Sequence, residues 1–215
     1  MVYVKFLLLF YTFGFSLQRS YGHGTMMDPV SRSSMWRQGF PSEPNYTDNE
    51  LNCGGTFTQF YLNKGKCGVC GDNYAMPRPR PNENGGIYGN STIVKKYVKG
   101  GIVNVKIKLT ANHMGNFKFD LCPLKRTNDL EDEECFNRYS LRVINGDYEV
   151  RIPNDKLIFN LRVKLSKNVV CDHCVFRWTY RAANNWGQCD DGTSDLGCGP
   201  QETFKNCADI SIERY

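Results

Sequence analysis

After residue 15 the sequence has no apolar run long enough to cross a bilayer as a helix, which argues against a membrane-spanning body. It has no internal repeat and no long linker, so repeat arrays and multi-domain strings are not expected. It has little charge excess. The 27 Lys and Arg against 22 Asp and Glu leave +5, too mild to argue for a nucleic-acid partner or an anionic membrane surface. Histidine is scarce as well, with His23, His113 and His173 the three in 215 residues.

The one strongly apolar stretch, Phe6 to Phe15, lies near the start, behind Lys5. Its length suits the apolar region of an export signal and is too short for a spanning helix. Ser20 and Gly22 are the small residues wanted three and one positions before a cleavage site. The expected division is therefore a secretory signal over residues 1–22 and a single domain over residues 23–215, with cuts after Ser20 or Tyr21 as the competing choices. Loss of Lys5 and Arg19 with the signal lowers the net charge by two. The chain carries no lipid-anchor tail, so a secreted, extracellular monomer is expected.

Cysteine use agrees with export. Cys53, Cys67, Cys70, Cys122, Cys135, Cys171, Cys174, Cys189, Cys198 and Cys207 make an even count, read as five disulfides of open pairing. Cys67–Cys70 and Cys171–Cys174 have CxxC spacing, which in a reducing compartment would raise zinc or redox chemistry. Asn45-Tyr46-Thr47 and Asn90-Ser91-Thr92 are glycosylation sequons. The acidic run from Asp129 to Glu134 reads as a solvated loop, and its spacing matches no calcium loop. The Pro-rich patch from Met76 to Pro81, followed by Gly85-Gly86, reads as an irregular surface loop.

From about residue 91 the apolar residues recur with period two. Val94 and Tyr97, then Ile102, Val103, Val105, Ile107 and Leu109, flank the breaker Lys99-Gly100-Gly101. Further strands are expected over Asn116–Cys122, Tyr148–Ile152, Leu157–Leu165, Cys174–Arg181 and Ala208–Ile212. This spacing predicts an all-β fold, an antiparallel immunoglobulin- or fibronectin-III-like sandwich. The first ~70 residues after the signal are rich in Gly, Pro, Asn and Cys, and predict long loops stapled by disulfides.

A cut between Gly22 and His23 would make histidine the first residue, with both an α-amine and a ring to offer a metal. His113 follows the strand ending at Leu109. Together they offer three nitrogens, a set that suits the tetragonal preference of Cu(II). The amine, with an ordinary pKa of about 8, must lose a proton to bind. His173, between Cys171 and Cys174, reads as structural.

The ordered set His23-Gly24, Pro29, Ser31-Arg32, Trp36-Arg37, Asn52-Cys53-Gly54-Gly55, Cys67-Gly68-Val69-Cys70-Gly71-Asp72, Ala111-Asn112-His113-Met114-Gly115, Asn185-Trp186-Gly187-Gln188-Cys189 and Gly197 to Phe204, then Cys207-Ala208-Asp209-Ile210, resembles the lytic polysaccharide monooxygenases of auxiliary activity family 15. The resemblance covers essentially the whole chain after residue 22. It implies one copper held by His23 and His113, with Phe204 at an axial position where relatives place Tyr or Phe. Ala111 would leave room at the other axial face. Glu202, with Gln201 as the weaker choice, would orient or protonate the oxidant. The implied reaction is oxidative cleavage of a β-1,4-linked insoluble polysaccharide, with O2 or H2O2 as co-substrate and an external electron donor. Chitin is the first-choice substrate and cellulose the second, and Tyr46 is a candidate for stacking on a sugar. With no separate binding module expected before Tyr215, substrate binding should rest on the catalytic surface. Two other readings remain: a non-catalytic chitin- or cellulose-binding protein, and a zinc protein built on the CxxC pairs.

Overall fold

The computed structural model describes residues 23–215, and the expected signal at residues 1–22 lies outside the described residues. The alternation after residue 101 becomes β3 (Ile102–Ala111), which buries Val103, Val105, Ile107 and Leu109 and exposes Lys106 and Lys108 between them. One layer runs β1 (His23–Asp28), β3, β7 (Ile158–Lys164), β5 (Ser140–Val143). The other continues from β5 through β4 (Asn116–Pro123), β8 (Cys171–Arg181) and β11 (Thr203–Glu213) to β2 (Lys95–Val98), with β6 (Glu149–Arg151) on β4. Strand β5 turns the corner between them. Its Leu141 pairs with Phe119 of β4, and its Val143 pairs with Val163 of β7. The expected β-sandwich is present, with one departure from an antiparallel arrangement: β2 joins β11 in parallel.

The two layers close on one core. Phe117 of β4 meets Phe159 of β7 edge-on at 5.1 Å, and meets Trp178 and Tyr180 of β8 at 5.2 Å each. Such edge-to-face pairs contribute about 0.5–1.5 kcal/mol each beyond the area they bury.

Strand β11 does not alternate, because both of its faces are covered. Phe204, Ala208, Ile210 and Ile212 join the sandwich core. On the other face Cys207 packs with Val69, Phe136 and Val175. The N-terminal loops form that cover, where Arg32 N–H donates to the Cys207 carbonyl and Lys205 N–H to that of Leu51. Disulfides Cys53–Cys67 and Cys70–Cys207 hold the layer, and Cys122–Cys135, Cys171–Cys174 and Cys189–Cys198 staple other loops. All ten cysteines are thus in disulfides, which removes the thiolates that the zinc reading required.

Two loop expectations, the acidic run and the Asn45 sequon, are corrected. The acidic run is not simply solvated. Glu131 is fully buried and accepts from the Arg32 guanidinium, Asp132 caps α1 (Glu133–Arg138) by accepting from Cys135 N–H at 2.7 Å, and Glu133 lies 2.8 Å from Arg177. The Pro-rich patch is the irregular surface loop expected, with Met76 to Pro79 exposed, while Arg80, Asn82, Glu83 and Asn84 at its end are buried. Asn45 is only 7% exposed, its Oδ1 accepting from Thr47 N–H, so the folded protein leaves little room for a glycan there. Asn90 is exposed.

Candidate metal centre

Strand β1 starts at His23, opposite Ala111, the last residue of β3. His113 therefore stands two residues beyond the position facing His23, on the connection from β3 to β4. The residue after His23 has to be small. A Cβ on Gly24 would come within 2.6 Å of Leu109 Cδ2 and 2.8 Å of the Trp178 ring. Gly24 N–H donates to the Asn49 carbonyl, which ties the start of β1 to the loop carrying Glu50. Glu50 Oε1 lies 3.3 Å from His23 Nε2.

The turn holding His113 is pinned from several sides. Asn112 donates through Nδ2 to the carbonyls of Pro153 at 2.8 Å and Lys156 at 2.6 Å, and its Oδ1 accepts from Met114 N–H. Gly115 takes φ +93, and a Cβ there would fall 2.0 Å from the Arg181 carbonyl oxygen, so glycine is required. His113 N–H donates to the Tyr180 hydroxyl at 2.9 Å, and its carbonyl accepts from Ala183 N–H at 2.9 Å. Burial pushes the Tyr180 phenol up to about 12; the Glu202 carboxylate pushes the same way, and the His113 N–H opposes it. Tyr180 thus stays a neutral phenol at ordinary pH.

Asn184 and Glu202 lie beside the His113 ring. Asn184 Nδ2 is 2.9 Å from Nδ1, and Glu202 Oε2 is 3.7 Å from it. Glu202 is largely buried, and its Oε1 accepts from Asn52 Nδ2 at 3.4 Å.

Gln201 is committed elsewhere. Its Oε1 accepts from Asn185 N–H, and its Nε2 donates to the carbonyls of Asn185 and Cys198. Fully buried and spent on backbone, it clamps a loop, which corrects its expected role near the oxidant. Phe204 is fully buried, pairs with Tyr180 across β11 and β8, and stacks on its ring at 5.7 Å. It is a core residue joined to His113 through Tyr180. His173 lies elsewhere, with Nε2 2.6 Å from Asp209.

Tyr46 is 77% exposed and rests edge-on against Trp36 at 5.2 Å. Arg37 lies over the Trp36 ring at 4.3 Å and pairs with Asp48 at 2.6 Å. The Tyr46 ring thus stands on a built platform.

Tyr180, Asn184, Asn52 and Glu50 escaped sequence reasoning. Asn52 opens the Asn52-Cys53-Gly54-Gly55 motif and Asn184 sits one residue before Asn185-Trp186-Gly187, and these were the local signals they carried.

The donor set suits copper. The register brings two histidines to one sheet edge, and the nitrogen of His23 would become an amine if the preceding bond were cut. Asn184 Oδ1 is buried with no partner. A histidine that holds a metal through Nε2 carries its proton on Nδ1, and that N–H needs an acceptor. A half-turn of the Asn184 amide supplies one.

A family model described as "Lytic polysaccharide mono-oxygenase, cellulose-degrading" matches residues 23–210. Among solved structures, the chain is similar to the AA15 lytic polysaccharide monooxygenase from Thermobia domestica in the Cu(I) state, at 44% identity and a TM-score of 0.87, covering 90% of this chain and 100% of that one. Among curated proteins none matches. The match across nearly the whole described sandwich, with two histidines brought to one of its edges, places this chain in the lytic polysaccharide monooxygenase family as a copper-dependent enzyme of the AA15 type.

Proposed function

We propose that the protein is exported, cut between Gly22 and His23, and then cleaves β-1,4 bonds of chitin, holding copper through the amine and ring of His23 and the ring of His113. The observation that carries this reading is the register of β1 on β3, which sets His23 beside Ala111 and so beside the His113 turn. The start of the family match at residue 23 supports the cut, as does full coverage of the Thermobia domestica chain by 90% of this one.

Copper, when bound, supplies the one-electron chemistry through which O2 or H2O2 takes hydrogen from C1 or C4 of a sugar. The protein's own residues prepare the place. Asn184 orients the His113 ring, and the Tyr180 hydroxyl with the Ala183 N–H fixes its backbone. Glu202 holds a carboxylate within reach of that ring, a group that accepts hydrogen bonds when ionised and can donate when protonated. Phe204 brings no donor atom, and Ala111 keeps the neighbouring strand end small. Tyr46 offers an exposed ring to the substrate.

Chitin rests on the AA15 likeness; the second reading, cellulose, is favoured by the description of the family model. Product analysis by mass spectrometry, with the mature protein, copper and reductant on each polymer, separates them. Oxidised chito-oligosaccharides are expected, and oxidised cello-oligosaccharides alone would transfer the assignment to cellulose. N-terminal sequencing of secreted protein is expected to read His-Gly, and any other start would remove the amine from the site.

A further inference from the structure

The small net charge of this chain is unevenly placed. The outer face of β3, β7 and β5 carries Lys106, Lys108, Arg142, Arg162 and Lys164, all exposed. The register sets them in one line. Lys108 and Lys106 are followed by Arg162, the partner of Asn104, and then by Lys164, the partner of both Ile102 and Arg142. Direct cross-strand partners point to the same side of a sheet, so the five leave it together. The line runs about 20 Å along the strands and about 10 Å across them.

Among the described residues none of these five takes part in an ion pair. Asp28, the carboxylate opposite Lys106, is taken by Lys95 at 2.6 Å. Lys164 and Arg142 are like charges directly opposite each other, an arrangement that costs a sheet stability. Other parts of the chain leave the face open. The N-terminal loops lie on β11, and the hairpin of β9 (Trp186–Gln188) and β10 (Ser194–Leu196) is tied through Gly197 to Arg181 of β8.

The line ends in a hollow. Arg138, Tyr139, Arg142, Tyr148, Lys164 and Ser166 are among its walls, and none of its walls is a carboxylate. The same Arg142 and Lys164 wall a second hollow with Asn145 and Gly146. These side chains offer ammonium, guanidinium and hydroxyl donors, the set that an oxyanion needs. At its other end the line reaches Lys108, three residues before Ala111, the partner of His23.

We propose that the outer face of β3, β7 and β5 is a docking surface for a sulfated polysaccharide, whose sulfate groups seat against the cation line and in the hollow at Arg142 and Lys164. The complementarity is that of fixed anions with a row of cations that no carboxylate matches, and binding also relieves the repulsion between Arg142 and Lys164. A row one side chain wide suits a single strand with charges set along it. Duplex nucleic acid presents two charged strands, and a lipid surface has no projecting group to enter a hollow. The glycan so held anchors the enzyme by a face other than the edge with His23 and His113, which stays open to the polymer it oxidises.

The test is titration of the protein with heparin as the probe, beside desulfated heparin, duplex DNA and phosphatidylserine vesicles, at about 0.15 M salt. Heparin is expected to bind, and the other three at least about tenfold more weakly. Arg142→Gln with Lys164→Gln is expected to weaken heparin binding about tenfold or more, to flatten the dependence of Kd on salt, and to melt no lower than the parent. Lys64→Gln with Lys66→Gln removes the same charge from an exposed N-terminal loop and is expected to stay within about twofold of the parent. A parent that does not bind heparin overturns the proposal. So does an equal loss in both double variants, or a loss in neither. Binding of desulfated heparin, DNA or vesicles as tight as that of heparin overturns it too. The measurement needs no turnover, so its failure leaves the reading of His23 and His113 standing.

Discussion

Two histidines, one on the connection from β3 to β4 and one in β8, are held in opposite ways. His113 and His173 are almost equally buried, with side chains 10% and 7% exposed, so burial does not tell them apart. Their partners do. His173 Nε2 meets the Asp209 carboxylate, which also accepts from Arg32 through Nε at 2.7 Å and Nη2 at 2.6 Å, while Arg32 reaches on to Glu131 and the Asn82 carbonyl. That network is closed: its carboxylates are already matched by a guanidinium, and a cation has little to gain there. The His113 ring is met at Nδ1 by a neutral amide, in a turn whose backbone is fixed by Tyr180 and Ala183. A ring held from behind by an amide, with the Glu202 carboxylate at 3.7 Å, can serve as a ligand; a ring inside a network of carboxylates matched by a guanidinium serves the fold.

The sharpest way to break this contrast is to delete each ring. His113→Ala is expected to reduce oxidised products to background while the metal-free protein melts as before. His173→Ala is expected to keep the copper signal and lose about 1–3 kcal/mol of stability, since Asp209 loses a buried partner. Loss of copper binding in His173→Ala would end the distinction. Calorimetric titration with copper and thermal melts read both.

Next in size is Arg32→Met, expected to cost about 3–5 kcal/mol because it strands Asp209 and Glu131 without their guanidinium. The same network sets the acid limit. Burial alone would raise the Asp209 carboxyl, but Arg32 and His173 hold it below its ordinary value. Its contribution is in place at neutral pH and is lost as pH falls from about 4 through the lower folded value. Melting temperature followed against pH is expected to fall over that range, and a flat profile there would show that the network does not govern acid stability.

Asn184→Leu is expected to weaken copper binding by about 10–100-fold and to alter the copper spectrum, since the His113 ring loses the group that orients it. Smallest is Tyr180→Phe. It removes the acceptor for His113 N–H and is expected to cost about 1 kcal/mol of stability, seen in denaturant unfolding.

Much of the sandwich was legible because β3 and β7 have one face in water, and a half-wet strand alternates. Strand β11 was legible only over Ala208–Ile212. Lys205 and Asn206 look like loop residues until Glu133 and the Met26 N–H are seen opposite them. Strand β1 was hidden too, since its ladder is with β3, about 80 residues away in the chain. The acidic run misled for the same reason: five carboxylates close in sequence read as solvated, and the cations that pair with Glu131 and Glu133 come from distant segments.

The sequence by itself determined the chemistry on offer: a histidine directly after an apolar leader with small residues at its end, ten cysteines in even number, one further histidine beyond a strand end, and a motif order that marks the family. These are covalent and local properties, written one residue at a time. Only the tertiary structure decided which cysteines pair, which side chains meet His113 and His173, and that Asn184 and Tyr180 support His113 while Gln201 clamps the Trp186 hairpin. Those outcomes depend on which side chains meet across strands far apart in the chain, and hydrogen bonds and ion pairs act only over a few ångströms.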